Sequence, residues 1–302
     1  MCKILVVGSI NNDLVINSPK PPRMGETVTG DGFMTTAGGK GANQAVAAAR
    51  LGADVTMIGA VGDDLFGTDL KANLEKNKIN TRFVSTNRDY PTGTAVIVLH
   101  QGDNFIILDQ GANQSISPDN IRDAEDVFKS ADMLIVQLEI PPETVRTAME
   151  LAKKHNVRTL LNPAPAQNAT EDLIALADIL TPNESECETI SGIQVKNKDD
   201  AFQAVRYFMD KGVNQVCVTL GENGVVYNSD TNLIHVPSRK VEIVEDTTAA
   251  GDSFTAALAT ALCSGKTIDD AIQFATIAAS ITVTKKGAQP SLPYISDIMK
   301  MI

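Results

Sequence analysis

The chain has 302 residues, long enough to bury a large core and, by length alone, to form about two domains. Its net charge of −11 excludes the broad basic face of a nucleic-acid or anionic-membrane binder, but not a nucleotide site, for which a few lysines and helix N-termini suffice. A hydrophobic share of 43% and ordinary Gly and Pro counts describe a soluble globular protein, and no apolar run approaches the roughly 18 residues of a membrane span.

In chain order, residues 4–7 read as a strand; the run is too short for a signal segment because Asn11, Asn12 and Asp13 follow at once. Ligands of open α/β sheets bind beyond the carboxyl ends of strands, and Asn11 and Asp13 carry the mixed donors and acceptors that suit a polyhydroxylated molecule. A plain Asx-rich turn explains them equally well, and no GxGxxG spacing marks a dinucleotide site. Residues 13–36 alternate like strands at 26–29 and 33–35, interrupted by Gly and Pro. Gly38-Gly39-Lys40-Gly41-Ala42-Asn43-Gln44-Ala45 then opens a helix over 42–51. Its glycines permit close backbone approach, and Lys40 and Asn43 offer donors to hydroxyls or phosphate. A strand at 54–60 and a helix at 65–77 follow, then strands at 94–99 and 105–108 around the hairpin signal Gln101-Gly102-Asp103-Asn104.

Farther on, helices at 118–128, 142–155 and 199–211 alternate with strands at 133–136, 159–161 and 215–219. This alternation predicts an α/β fold with a mainly parallel sheet covered by helices on both faces. The strands within 13–36 and 92–109 have no helices attached and cannot easily join a parallel sheet. They predict a small projecting antiparallel β-sheet lid, residues 14–36 and 91–110, on a body of 1–13, 37–90 and 111–302.

The last third holds Asp246-Thr247-Thr248-Ala249-Ala250-Gly251-Asp252 at the mouth of an apolar helix over 251–264, which Gly265 closes before a second helix over 268–284. Helix N-termini attract anions, and the small side chains of Ala249, Ala250 and Gly251 let one approach their amides. A carboxylate beside an anion site suits proton abstraction from an attacking hydroxyl, although acids are also common at helix starts. Ser264-Gly265-Lys266-Thr267 is no phosphate loop: Thr260 stands where Gly is required, and a helix precedes it instead of a strand. Lys285-Lys286-Gly287 reads by itself as a solvated basic helix end. Cys2, Cys187, Cys217 and Cys263 are widely spaced, and His100, His155 and His235 stand alone. Metal-ligand spacing is therefore absent, and reduced, mostly buried thiols in a cytoplasmic protein are expected.

Together these residues resemble the ribokinase-like sugar kinases, the phosphofructokinase-B group, over essentially the whole chain. Gly38-Gly39-x-x-x-Asn43-x-Ala45 is similar to the family's N-terminal signature. Asp246-Thr247-x-Ala249-Ala250-Gly251-Asp252 is similar to its C-terminal one, with Ala249 where many members have Gly. The resemblance implies ATP-dependent phosphorylation of D-ribose at its 5-hydroxyl. Asp252 would be the base and the amides of 249–251 the anion hole. It implies a sugar site of Asn11, Asp13, Gly39, Lys40, Asn43 and Glu139, and ATP contacts from Asn183, Glu186, Thr219, Gly221, Gly224, Gly251 and Thr276. Mg²⁺ would accompany the nucleotide. K⁺ would be held by the Asp246 side chain, the carbonyls of Thr248, Thr282, Lys285 and Gly287, and the Ser291 hydroxyl. A homodimer through the lid is also implied, covering the apolar set Val28, Phe33, Val96, Val98, Phe105 and Ile107. The alternatives are a kinase for deoxyribose, fructose or adenosine, and a silent sugar-binding regulator, for which an intact Asp252 and anion loop would serve no purpose.

Overall fold

A computed structural model describes residues 2–100, 103–230 and 232–301. The chain opens with β1 (Lys3–Val7), β2 (Asn11–Asn17), β3 (Asp31–Gly38), β4 (Asp54–Gly62) and β5 (Asn80–Asn87). It continues through β6 (Gly93–His100), β7 (Asp103–Asp109), β8 (Met133–Val136), β9 (Arg158–Leu161) and β10 (Ile179–Leu180). The series ends with β11 (Gln215–Thr219), β12 (Val225–Ser229) and β13 (Asn232–Val236).

Among the described residues, nine of these strands form one sheet in the order β13-β12-β11-β10-β9-β8-β1-β4-β5. It is parallel from β11 to β5, with β12 and β13 added antiparallel at one edge. Third from the β5 edge, between β8 and β4, lies β1, whose alternation divides the core. Ile4 and Val6 face the layer of helices Lys40–Arg50, Ala250–Cys263 and Ile268–Thr282, while Leu5 and Val7 face the layer of Pro142–Lys154 and Lys198–Asp210. The α/β body with helices on both faces is thus the observed architecture. Helices Lys40–Arg50 and Ala250–Cys263 pack directly on one another. Alanines on both (Ala45 and Ala48, Ala256 and Ala257) are wholly buried there and let the backbones approach.

The smaller sheet runs β3-β2-β6-β7. Its two outer pairings are antiparallel and its central β2–β6 seam is parallel. Asn11 and Asp13 therefore sit on a strand, not in an Asx turn. Register places them on the face of Val15, with Leu14, Val96 and Ile107 on the opposite face. The strand expected at 26–29 is a loop. Glu26 caps its own turn by accepting from the Arg23 amide and pairing with Lys20, and the segment finds no neighbouring strand. The Gln101-Gly102 turn lies outside the described residues.

Two further expectations are corrected. Residues 118–128 form two short helices, Pro118–Asp123 and Glu125–Phe128, because the chain leaves helical geometry at Ala124. Cys2 and Cys263 are joined in a disulfide, not reduced; only Cys187 and Cys217 remain as free, buried thiols among the described residues. Cys2 precedes β1 and Cys263 ends helix Ala250–Cys263, which shares a core layer with Ile4 and Val6, and their Cα atoms lie 5.7 Å apart despite a separation of 261 residues.

Candidate active site

The site lies where β1 and the neighbouring parallel strands end and two helices begin. Gly39 enters the first helix with φ of 86°, and a Cβ there would lie 2.7 Å from the Asn11 amide nitrogen, so the helix start can press against β2 only with glycine at this point. Glu139, just beyond β8, caps this start: its Oε2 accepts from the Lys40 amide at 3.1 Å and from Ser9 Oγ at 2.5 Å. Asn11 is oriented by Asn113, whose Nδ2 donates to Asn11 Oδ1 at 2.7 Å while its Oδ1 accepts from the Ile10 amide at 2.9 Å. That commits Asn11 Oδ1 and leaves Nδ2 for a ligand.

Three carboxylates share this pocket with one ammonium. Burial, and then the negative charges of Glu139 and Asp252, push Asp13 up to about 7, with Lys40 pulling the other way. Burial would lower Lys40, but the combined field of Asp252, Glu139, Glu186 and Asp13 outweighs it and holds the ammonium above its usual value.

Asp252 stands in the first turn of helix Ala250–Cys263 and is 7% exposed. Asn43 Nδ2 donates to its Oδ2 and Gln44 Nε2 to its Oδ1, each at 2.9 Å. Burial raises its pKa; Lys40 and the two amides pull it back, and Glu139 adds to the rise. The helix is entered through Ala249, a non-glycine residue in the left-handed region at φ of 60°. Of the three amides expected to face an anion, that of Ala250 donates to the Thr247 carbonyl at 3.2 Å. Those of Ala249 and Gly251 have no partner among the described residues, and the space around Gly251 is open.

Of the residues assigned to ATP, Asn183, Glu186, Thr219, Gly221 and Gly224 lie at the ends of β10 and β11, whereas Gly251 and Thr276 are on helices Ala250–Cys263 and Ile268–Thr282. Asn183 bridges to Thr219, and Asn183 and Glu186 form a reciprocal capping box on helix Glu184–Ser191. Burial raises the proton affinity of Glu186, and the field of Lys40 reaches it and pulls the other way. Gly221 has φ of 50° with open space beside it. Gly224 is required by its own turn, since a Cβ would lie 2.0 Å from the Val236 carbonyl oxygen. Thr276 Oγ1 is shielded and without a partner among the described residues, which fits a hydroxyl awaiting a polar ligand.

For the cation, Asp246 ties its two segments together: Oδ1 accepts from the Thr248 amide and Oδ2 from the Gly287 amide, both at 2.8 Å. Ser291 is buried nearby in sequence, its hydroxyl donating to the Ala288 carbonyl at 2.7 Å. The Thr282 carbonyl accepts from the Lys285 amide at 3.2 Å, and its side chain turns to Ser253 and Ala278. One carboxylate among carbonyl and hydroxyl oxygens fits a cation of low charge. No cluster of three or more His, Cys, Asp or Glu capable of holding a metal occurs among the described residues.

Sequence reasoning missed Ser9, Asn113, Gln137 and Asn162, which touch the site only through other side chains. It quoted Gln44 without assigning it a role. Their one visible signal is polarity at positions that the strand and helix patterns bury.

An anion-receptive helix start with a buried carboxylate, beside a pocket of amides and carboxylates suited to hydroxyls, fits a phosphotransferase acting on a polyhydroxylated substrate. Residues 1–295 match the model of the pfkB family carbohydrate kinases, and the chain belongs to that family. It is 42% identical over 99% of its length to the ribokinase of Haemophilus influenzae, of which it covers 98%. It is 38% identical to the deoxyribokinase of Salmonella typhi, over 97% of this chain and 96% of that one. Arabidopsis thaliana ribokinase, solved with ribose and ATP, superposes with a TM-score of 0.92 at 33% identity, covering 100% of this chain and 99% of that one.

The Asp13 shift has a consequence for stability. Between its ordinary value of 3.8 and about 7, the unfolded chain has released this proton while the native chain retains it. The contribution is full below the lower value and lost as pH rises through the upper one. Urea midpoints of the ligand-free protein should therefore decline from pH 4 to pH 7 less steeply in Asp13→Asn than in the parent.

Proposed function

We propose that this chain phosphorylates D-ribose at its 5-hydroxyl with ATP, releasing ribose 5-phosphate and ADP. The observation that carries this reading is the buried Asp252 carboxylate, gripped by two amides at a helix start whose Ala249 and Gly251 amides are open. Asp252 takes the hydroxyl proton as the oxygen bonds to the γ-phosphorus and the bond to ADP breaks. Burial, which raises its proton affinity, favours that role. The amides of 249–251 would carry the charge of the transferring group. That requires the Ala250 N–H to leave the Thr247 carbonyl as phosphate arrives. Asn11, Asp13, Gly39, Lys40, Asn43 and Glu139 would bind the sugar, and Asn183, Glu186, Thr219, Gly221, Gly224 and Thr276 the nucleotide. Mg²⁺ bound with ATP would supply countercharge to the phosphates. The Asp246 side chain, the carbonyls of Thr248, Thr282, Lys285 and Gly287 and the Ser291 hydroxyl would hold K⁺, whose charge would steady the loop carrying the amides. Dependence on ATP argues for a cytoplasmic enzyme.

Deoxyribose is the second reading, favoured by the similar identity to a deoxyribokinase. A site that hydrogen-bonds a hydroxyl discriminates sharply against the analogue lacking it. Ribose is expected to exceed 2-deoxyribose at least about tenfold in kcat/KM. In the same ADP-release assay, Asp252→Asn should lose about 10²–10⁴-fold in kcat with little change in ribose binding. Equal kcat/KM for the two sugars would make the enzyme a broader pentose kinase.

The cation reading is tested on ion-depleted enzyme. K⁺ should raise the rate severalfold over Na⁺, and Asp246→Ala should blunt that rise.

Residues 14–36 and 91–110 would act as the lid. On the face turned away from Asn11 and Asp13, Val96, Phe105 and Ile107 are 37%, 49% and 72% exposed, and Phe33 adds another 64% exposed ring on β3. A small sheet leaving such a surface in water is suited to pair with a second copy across a two-fold axis. Light scattering should give a dimer mass at micromolar concentration, and Ile107→Asp a monomer.

A further inference from the structure

Behind Asp252 lies a row of buried polar side chains that none of the roles above uses. Gln137, Asn162 and Thr181 each follow directly on one of three adjacent parallel strands, β8, β9 and β10. Gln44 reaches them from helix Lys40–Arg50 and is fully buried. Its Nε2 donates to Asn162 Oδ1 at 3.1 Å and to Asp252 Oδ1 at 2.9 Å, while its Oε1 accepts from Gln137 Nε2 at 2.5 Å.

The direction of this chain of bonds is set by the backbone. Asn162 Nδ2 donates to the Thr181 carbonyl at 3.1 Å, and a carbonyl can only accept. Asn162 must therefore turn Oδ1 toward Gln44, and Gln44 must turn its NH₂ toward Asn162. Its second N–H then points at Asp252 whatever the state of the reaction. Asn43, the other donor to Asp252, has no such lock: its Oδ1 is shielded and without a partner among the described residues, so its amide can reverse.

We propose that Gln44 is a positioning residue for phosphoryl transfer, pinning Oδ1 of Asp252 as a permanent acceptor so that Oδ2 is the atom that receives the hydroxyl proton. The O–H bond of the sugar breaks and its proton passes to Oδ2. The freed electron pair forms the bond to the γ-phosphorus, and the bond to ADP breaks with its pair left on ADP. Asn43 can then turn its Oδ1 to accept from the new O–H, while Gln44 continues to donate to Oδ1. The polarity of the relay thus favours the ionised carboxylate before the step and leaves Oδ2 as the oxygen open to the proton.

The inference rests on Asp252 as the base and is tested through the acid limb of kcat, measured at saturating ribose and ATP so that it reports groups of the bound complex. The other titratable groups facing Asp252 are Lys40 at the start of its helix, Asp13 on β2, Glu139 beyond β8 and Glu186 on helix Glu184–Ser191. All are retained in the variants. Gln44→Met keeps the volume and removes the donor. It should lower kcat about tenfold or more, leave the KM for ribose within about threefold, and move the acid limb up by about one pH unit. Asn162→Leu frees Gln44 to turn and should move the limb in the same direction by less; it carries the decision if Gln44→Met does not fold. Gln137→Met leaves the Asn162 constraint intact and should leave the limb unmoved. A limb unchanged in both folded Gln44→Met and Asn162→Leu overturns the relay, even if kcat falls. Asp252→Asn assayed alongside separates the two failures: if it retains turnover, the base assignment itself is lost.

Discussion

Everything in the site depends on one contact, the carboxylate of Asp252 held by the amides of Asn43 and Gln44, 209 and 208 residues away in the chain. A carboxylate this deeply buried is tolerable only with donors on its oxygens, so the contact obliges two helix starts to meet. The packing behind it makes the meeting possible. Alanines line both helices, and β1 presents Ile4 and Val6 to the pair. Asp252, the open amides of Ala249 and Gly251, and the start of the helix bearing Lys40 and Asn43 therefore meet at one junction of two helices.

The same junction concentrates negative charge. Asp13, Glu139 and Asp252 surround a single ammonium, and the excess is expressed in the raised proton affinity of Asp13 and in a Lys40 held charged despite burial. Without ligand the arrangement is electrostatically uncomfortable. A molecule that supplies several hydroxyl donors would relieve it. Glu139 contributes twice, as part of the negative field on Lys40 and as the cap of the helix start that bears Lys40.

The molecule's two ends have different characters. At the strand carboxyl ends a row of polar residues leaves groups without partners among the described residues. At the opposite end, Cys2 and Cys263 tie the start of β1 to the far end of the helix that bears Asp252. The small sheet carries Asn11 and Asp13 on one face and an exposed apolar surface on the other, because alternation along β2 separates them from Leu14.

Much of this was legible in the linear chain. Alternating apolar runs and helical periods, which are local properties, determined an α/β body with helices on both faces, and strands lacking helices announced the small second sheet. The small residues of 249–251 beside Asp252, and the glycines around Lys40, marked the two helix starts because anion approach and close backbone contact constrain residue type locally. The loop at 26–29 was misread as a strand because a strand needs a neighbour as well as an alternating pattern. Gln44, Gln137, Asn162 and the Cys2–Cys263 pair had no local signature at all: each is ordinary in its own segment. Their roles arise only when parallel strands lie side by side and two distant helices pack, since hydrogen-bond direction and a 5.7 Å Cα separation are properties of relative placement, which the tertiary structure alone decides.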